Sequence, residues 1–180
     1  MTDADRFEDF VRSYQDMVFG LAARLLGNRA EAEDVAQTVF LKAFERFDTL
    51  AASPTAGGWL KTVTANHCIN HLQRYRWRWR LFSELATTNA AGELDPYEDT
   101  LPASAAPPVV GEPDVQVRLE RALMALPHHQ RIPIVLFHFE QYSYQQIAES
   151  LRVSVGKVKT DIHRGRETLR RHLEGADVRA

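Results

Sequence analysis

Residues 142–173 read YSYQQIAESLRVSVGKVKTDIHRGRETLRRHL, two helical patterns separated by a tight break. Ser143 can cap the first helix, and Gln146 three residues later completes a capping box. Ile147, Ala148 and Leu151 supply its buried face. Arg152 and Val153 make the turn, and Ser154 can cap the second helix. On that helix Val158, Ile162, Gly165 and Leu169 share one stripe, while Lys159, Thr160, His163, Arg164, Arg170 and Arg171 cover most of the remainder. A short helix, a three-residue turn and a basic amphipathic helix form the helix-turn-helix pattern. Such a second helix fits a major groove, where Lys and Arg reach phosphates or guanine and Thr or His reach base edges. The alternative is a solvated helix face that binds nothing. One acid, Asp161, stands at the border between stripe and basic face.

The rest of the chain is helical in pattern too. Phe7, Phe10, Val11, Tyr14, Val18, Leu21 and Leu25 recur at three and four over residues 5–27, and Gly27-Asn28 is a stop signal. A second helix is expected over 29–47, with Val35, Ala36, Val39, Phe40, Ala43, Phe44 and Phe47 on a broad apolar face and Asp34, Gln37, Thr38 and Leu41 on the other side. After the breaker SPTAGG (53–58), a third helix is expected over 59–78. Further helices are expected over 114–125 and from Pro127 to about Glu140, the last distorted by Pro133. No alternating strand pattern is present. The expected fold is therefore all-α, in two small helical domains over residues 1–80 and 114–180. Residues 81–113, rich in Ala, Pro, Gly and acids, read as a flexible acidic linker.

Charge is segregated although its sum is only −2. Residues 61–80 carry Lys61, Arg74, Arg76, Arg78 and Arg80 without an acid; residues 81–117 carry seven acids without a Lys or Arg. That pattern suggests separate binding surfaces. The single cysteine, Cys68, excludes an internal disulfide, and no apolar run is long enough to span a membrane. The N-terminus lacks the basic and apolar regions of a signal peptide, so a cytoplasmic protein without membrane insertion is expected.

The segment LPHHQRIPIVLFHFEQYSYQQIAESLRVSVGKVKTDIHRGRETLRRHL resembles region 4 of bacterial RNA polymerase sigma factors of the extracytoplasmic-function (ECF) class. AEDVAQTVFLKAFERF is similar to region 2.2 of that family, and GGWLKTVTANHCINHLQRYRWR to regions 2.3 and 2.4. The order is that of the ECF class, with no region 3 domain between. The resemblance implies a transcription factor and not an enzyme, with no cofactor. It implies three partners: core RNA polymerase, promoter DNA and an anti-sigma factor.

The resemblance also assigns residues. Lys157, Lys159, Thr160, His163 and Arg164 would face the minus-thirty-five element. Asp161 stands where the family usually has Arg, and Lys157 where it usually has Thr. Asp161 either pairs with Lys157 at i, i+4 or accepts a hydrogen bond from a cytosine amine. Asn66, Asn70, Gln73, Arg74 and Trp77 would read the minus-ten element; amides and aromatics beside cations suit the edges and faces of melted bases. In the family, a flipped base is held by the loop before this helix, here about 50–58, together with the Asn at the position of Asn66. Trp77 and Trp79 within RYRWRWR either stack on DNA or pack the helix end. Asp34, Gln37 and Leu41 would contact the polymerase clamp. Glu93, Asp95, Glu98 and Asp99 either mimic nucleic-acid charge within the polymerase or simply keep a tether soluble.

Two other features point elsewhere. HCINH places His67 and His71 at i, i+4, a spacing that can chelate zinc; no fourth ligand is evident, so no metal is expected. A helix-turn-helix regulator acting without polymerase would account for residues 142–173 but leave residues 59–80 and the Asp34 face without a role. A protein-interaction adaptor and a metal hydrolase account for less.

Overall fold

The structure, a computed structural model, describes residues 3–86 and 115–177, with side chains described over 3–74 and 115–174. Among these residues every regular element is a helix. They are α1 (Asp3–Leu26), α2 (Arg29–Phe44), α3 (Phe47–Ala51), α4 (Ala56–Ala86), α5 (Val115–Met124), α6 (His128–His138), α7 (Tyr144–Leu151) and α8 (Val155–Asp177). The expected linker lies, from residue 87 on, outside the described residues.

Local chemistry explains the boundaries. Gly27 adopts φ +68°, and its N–H closes on the Ala23 carbonyl at 2.8 Å, ending α1. Asn28 then starts α2, its Oδ1 accepting from the amides of Ala30 and Glu31. Ser143 and Gln146 make the expected reciprocal capping box at α7. Arg152 ends α7 in the left-handed region at φ 56°, and the Ser154 hydroxyl accepts from the Lys157 amide to begin α8.

Three sequence expectations change. The second helix divides, because the chain turns at Glu45–Arg46 and restarts as the one-turn α3. Phe44 is not in the core: it is 59% exposed, its ring edge resting on Phe7 at 4.9 Å. It follows Gln37 by seven residues, which returns a helix to within about 20° of the same face. The third helix is longer than expected: α4 takes in residues 56–58 of the expected breaker and 81–86 of the expected linker, and no Gly or Pro interrupts the sequence over 59–86. Helix α6 runs continuously over His128–His138 with Pro133 inside it, and Ile132, Ile134, Val135 and Leu136 around it are buried.

Helices α1, α2 and α4 form one half, its centre filled by Val18, Leu21, Leu25, Val39, Leu60, Ala65 and Cys68. Helices α5 to α8 form the other, around Leu123, Ile134, Leu136, Ile147, Val158 and Ile162. Gly165 lets α8 approach α6, since a Cβ there would sit 2.4 Å from Ile134 Cδ1. The halves touch. Arg24 of α1 donates from Nε and Nη2 to Glu120 Oε1 of α5, at 2.9 and 2.6 Å, and its guanidinium lies over the Phe139 ring. Lys61 Nζ lies 3.4 Å from Glu140 Oε2, and Gln73 Nε2 donates to the Ser150 carbonyl at 3.1 Å. The Arg131 guanidinium fills the space a side chain at Gly27 would need.

Candidate nucleic-acid interface

Helix α8 displays Lys159, Thr160, His163 and Arg164 on its exposed side, while Val158 and Ile162 face the core. The Thr160 hydroxyl donates back to the Gly156 carbonyl at 3.0 Å, fixing its methyl and oxygen outward on the helix. Lys159 Nζ lies 5.8 Å from the centre of the Tyr144 ring, so its cation is steered along the surface. His163 approaches Glu167 at 3.6 Å. Lys157 behaves differently from these four. It is half-buried, and its ammonium lies 2.8 Å from Asp161 Oδ1, whose side chain is only 5% exposed. Of the two roles open to Asp161, the geometry displays the i, i+4 pair. Its carboxylate is turned away from the open face, where a cytosine amine would have to approach.

On α4, Asn66 and Asn70 are exposed and line a cleft of about 330 Å³. Its other walls are Trp59, Val63 and His67 of the same helix and Lys42, Glu45 and Arg46 at the end of α2. A planar base has room in such a cleft, with amides to meet its edge, an indole to meet its face and two cations beside it for phosphate. Sequence periodicity had no means of finding Lys42 and Arg46, which reach the cleft by tertiary packing of α2 on α4. The expected capturing loop, residues 50–58, does not line this cleft, although Ala51, Ala52, Pro54, Thr55 and Gly58 are exposed; the Ser53 and Thr55 hydroxyls are hydrogen-bonded to each other at 2.9 Å. Gln73 shares the Asn66 face two turns on but is engaged with Ser150. Arg74 is exposed; Trp77 lies on α4, with its side chain outside the described residues.

The HCINH histidines diverge. His67 lines the cleft, and burial, followed by the positive charges of Lys42 and Arg74, lowers its pKa. His71 faces Glu31 at 3.5 Å. Among the described residues no three His, Cys, Asp or Glu side chains converge on a point that a metal could occupy. Cys68 is buried, and burial pushes its thiol up to about 12, which removes it from nucleophilic chemistry at neutral pH.

A third surface lies on α2. Asp34, Gln37 and Leu41 are exposed together, Leu41 by 68%, and Phe44 extends the same face by one turn. Two large apolar side chains beside two polar ones make a patch suited to a protein partner. No described helix is long and apolar enough to cross a membrane.

The family model for Sigma-70 region 2 matches residues 10–78, and that for Sigma-70, region 4 matches residues 116–169. The chain belongs to the sigma-70 family. Within it, this sigma factor is similar to the ECF RNA polymerase sigma factor SigW of Bacillus subtilis (strain 168), with 33% identity over 95% of this chain and 90% of that protein. It is 32% identical to the ECF RNA polymerase sigma factor SigE of Mycolicibacterium smegmatis, over 93% of this chain and 61% of that one. The sigma factor RpoE from Bartonella quintana, solved in complex with the anti-sigma factor NepR, shares the fold with a TM-score of 0.54. That likeness covers 93% of this chain and 96% of RpoE at 23% identity. The chain is thus an ECF-class sigma factor whose α1 to α4 correspond to region 2 and α5 to α8 to region 4.

Proposed function

We propose that this ECF factor joins core RNA polymerase through the Asp34, Gln37, Leu41 and Phe44 face and directs it to promoters through two separate DNA surfaces. Lys159, Thr160, His163 and Arg164 enter the major groove of the minus-thirty-five element. Lys157 supports them by holding Asp161. Asn66 and Asn70, with Lys42 and Arg46 beside them and Gln73, Arg74 and Trp77 further along α4, take the melted minus-ten strand. The work is binding, not covalent chemistry: a flipped base costs a few kcal/mol of unstacking, and the cleft returns it. The factor acts where polymerase acts, in the cytoplasm, and needs no metal or cofactor. Residues 1–80 and 114–180 carry the two functional domains; α4 continues the first as helix to Ala86, so the tether between them is 87–113. An anti-sigma partner, of the kind in complex with the structural relative RpoE, would restrain it.

The observation that carries this reading is the coexistence in one chain of an amide-lined cleft under two cations and an open basic helix-turn-helix face. The test is transcription with purified core enzyme on a genomic promoter library, followed by mapping of the start sites, alongside gel shift with and without core. Core-dependent transcription from a defined promoter set is expected. Tight binding to duplex at physiological salt by the factor alone, with no core-dependent transcription, would instead favour an autonomous helix-turn-helix regulator.

A further inference from the structure

Arg166 lies outside the base-reading set of α8, yet its guanidinium is fixed by three contacts. Nε and Nη2 both donate to His138 Nε2 of α6, at 3.1 and 2.9 Å, and the group lies 5.7 Å from the centre of the Phe137 ring. Phe137 stacks in turn on Tyr144, the first residue of α7, with ring centres 4.7 Å apart and planes 7° from parallel. Lys159 is steered by that same Tyr144 ring. One two-ring stack therefore places two cations of α8. They are seven residues apart, which returns a helix to within about 20° of the same side, about 10 Å along the axis. His163 stands between them on this edge, and Thr160 and Arg164 lie beyond it on the open face.

The partner of Arg166 decides what the cation can do. A carboxylate would neutralise it, whereas an accepting imidazole orients it and leaves the charge in place. Partial burial, then the Arg166 charge, lowers the His138 pKa, so the ring is neutral at neutral pH. The acids nearest on α8 are engaged elsewhere, Glu167 with His163 and Glu174 with Arg170. Among the described residues no carboxylate pairs with Arg166, and its exposed side chain keeps Nη1 open as a donor. An oriented, exposed and uncompensated guanidinium suits a phosphodiester. A helix with its side chains is about 10–12 Å across and fills a major groove about 12 Å wide, so the edge of a reading helix faces the sugar-phosphate wall. The 10 Å between Lys159 and Arg166 spans about three base steps of 3.4 Å.

We infer that Arg166, positioned by His138 and Phe137, holds a backbone phosphate at the border of the minus-thirty-five element and so sets the register of α8 in the groove without reading a base. This rests on the sigma-factor reading above. Arg166 makes the contact; His138 acts only through it, as a neutral acceptor.

The test uses holoenzyme assembled from the full chain and core polymerase. Its affinity for a duplex promoter mapped with core is titrated at low temperature over a range of salt, for wild type, Arg166→Ala, His138→Glu and His138→Gln. Loss of one phosphate contact lowers the slope of log K against log[salt] by about 0.9. Arg166→Ala and His138→Glu are each expected to show that loss, and to weaken the intact promoter and a duplex with a scrambled minus-thirty-five element by the same factor. His138→Gln keeps a neutral acceptor and should retain the slope; a merely structural histidine would make Glu and Gln behave alike. When single linkages bordering the element are made neutral as methylphosphonates, one of them should weaken wild type and leave Arg166→Ala unaffected. A wild-type slope in Arg166→Ala, a loss that depends on the base sequence, or additive effects at every linkage would overturn the inference. So would weakened association of Arg166→Ala with core in place of a changed slope, which would assign the residue to an acidic protein surface. Core-dependent transcription by wild type, run in parallel, reports on the sigma-factor reading itself, so the two fail separately.

Discussion

The proposed reading positions of region 4 fall within six residues of one helix, all exposed, whereas the cleft proposed for region 2 is assembled from α2 and α4 and shares its stripe with an interdomain contact. One site is local in sequence and open; the other is non-local and partly covered. A duplex groove can be met by a preformed helix, but a melted strand needs a concave wall, and concavity requires two elements. The same contrast predicts which region can be perturbed from a distance. Substitutions far from α8 should leave its face intact, while those on α1 or α5 should reach the α4 stripe through the contacts between the halves.

The strongest challenge to this division is whether the halves melt separately. Leu25 and Leu136 are fully buried, one in each half. Leu25→Ala and Leu136→Ala should each cost about 2–5 kcal/mol. If the halves are joined by a separable interface, each substitution lowers a different transition in thermal unfolding followed by circular dichroism. One common transition lowered equally by both would make the molecule a single cooperative unit and dissolve the distinction.

Next in size is the division of labour between the two surfaces. Asn66→Ala and Arg164→Ala should each cost about 1–3 kcal/mol of promoter contact. On a template with a pre-opened bubble, the Asn66→Ala defect should be rescued in part, because the melting cost is gone but the base contact is still lost. The Arg164→Ala defect should remain at limiting factor concentration. Transcription from matched duplex and bubble templates measures both, and equal rescue would show that the two surfaces are wrongly assigned.

Asp161 sharpens the comparison within region 4. Asp161→Ala should lower stability by about 1.5 kcal/mol, since it removes a charge-assisted bond at a buried carboxylate. It should leave base preference at the minus-thirty-five element unchanged in a selection from randomised duplexes. A shifted preference at one position would return the carboxylate to a base-reading role. Phe44→Ala, on the open face of region 2, should weaken core binding by about 1 kcal/mol in a titration while unfolding is little changed. A loss of stability without loss of core affinity would put Phe44 back in a structural role.

The smallest effect is acid sensitivity in region 4. Arg166 donates to His138 Nε2, so the ring is held as an acceptor, and burial together with the Arg166 charge lowers its pKa below the usual 6.5. The folded state therefore binds this proton less readily than the unfolded state does. Its contribution is complete above the ordinary histidine pKa and is lost as pH falls through the lowered value. His138→Gln should flatten that small decline in denaturant titrations between neutral and mildly acidic pH, and an unchanged slope would assign the decline to other groups.

What could be read along the chain was whatever depends on neighbours within a turn or two. The α7 capping box, the Ser154 cap, the stop at Gly27 and the Val158–Ile162–Gly165–Leu169 stripe all follow from spacing, because their partners are three or four residues away. Those local patterns suffice for an all-α chain and for the exposed α8 face, and the motif order carries the likeness to region 2 and region 4. The Lys157–Asp161 pair was legible as one of two alternatives for the same reason. Phe44 was misplaced because helix angle alone does not say which side of α2 meets α1. Lys42 and Arg46 joined Asn66 only when α2 packed on α4, and Arg24 met Glu120 only when the two halves docked. Contacts between residues distant in sequence are decided by which apolar faces cover each other, and that is a property of the folded core rather than of any single stretch of chain.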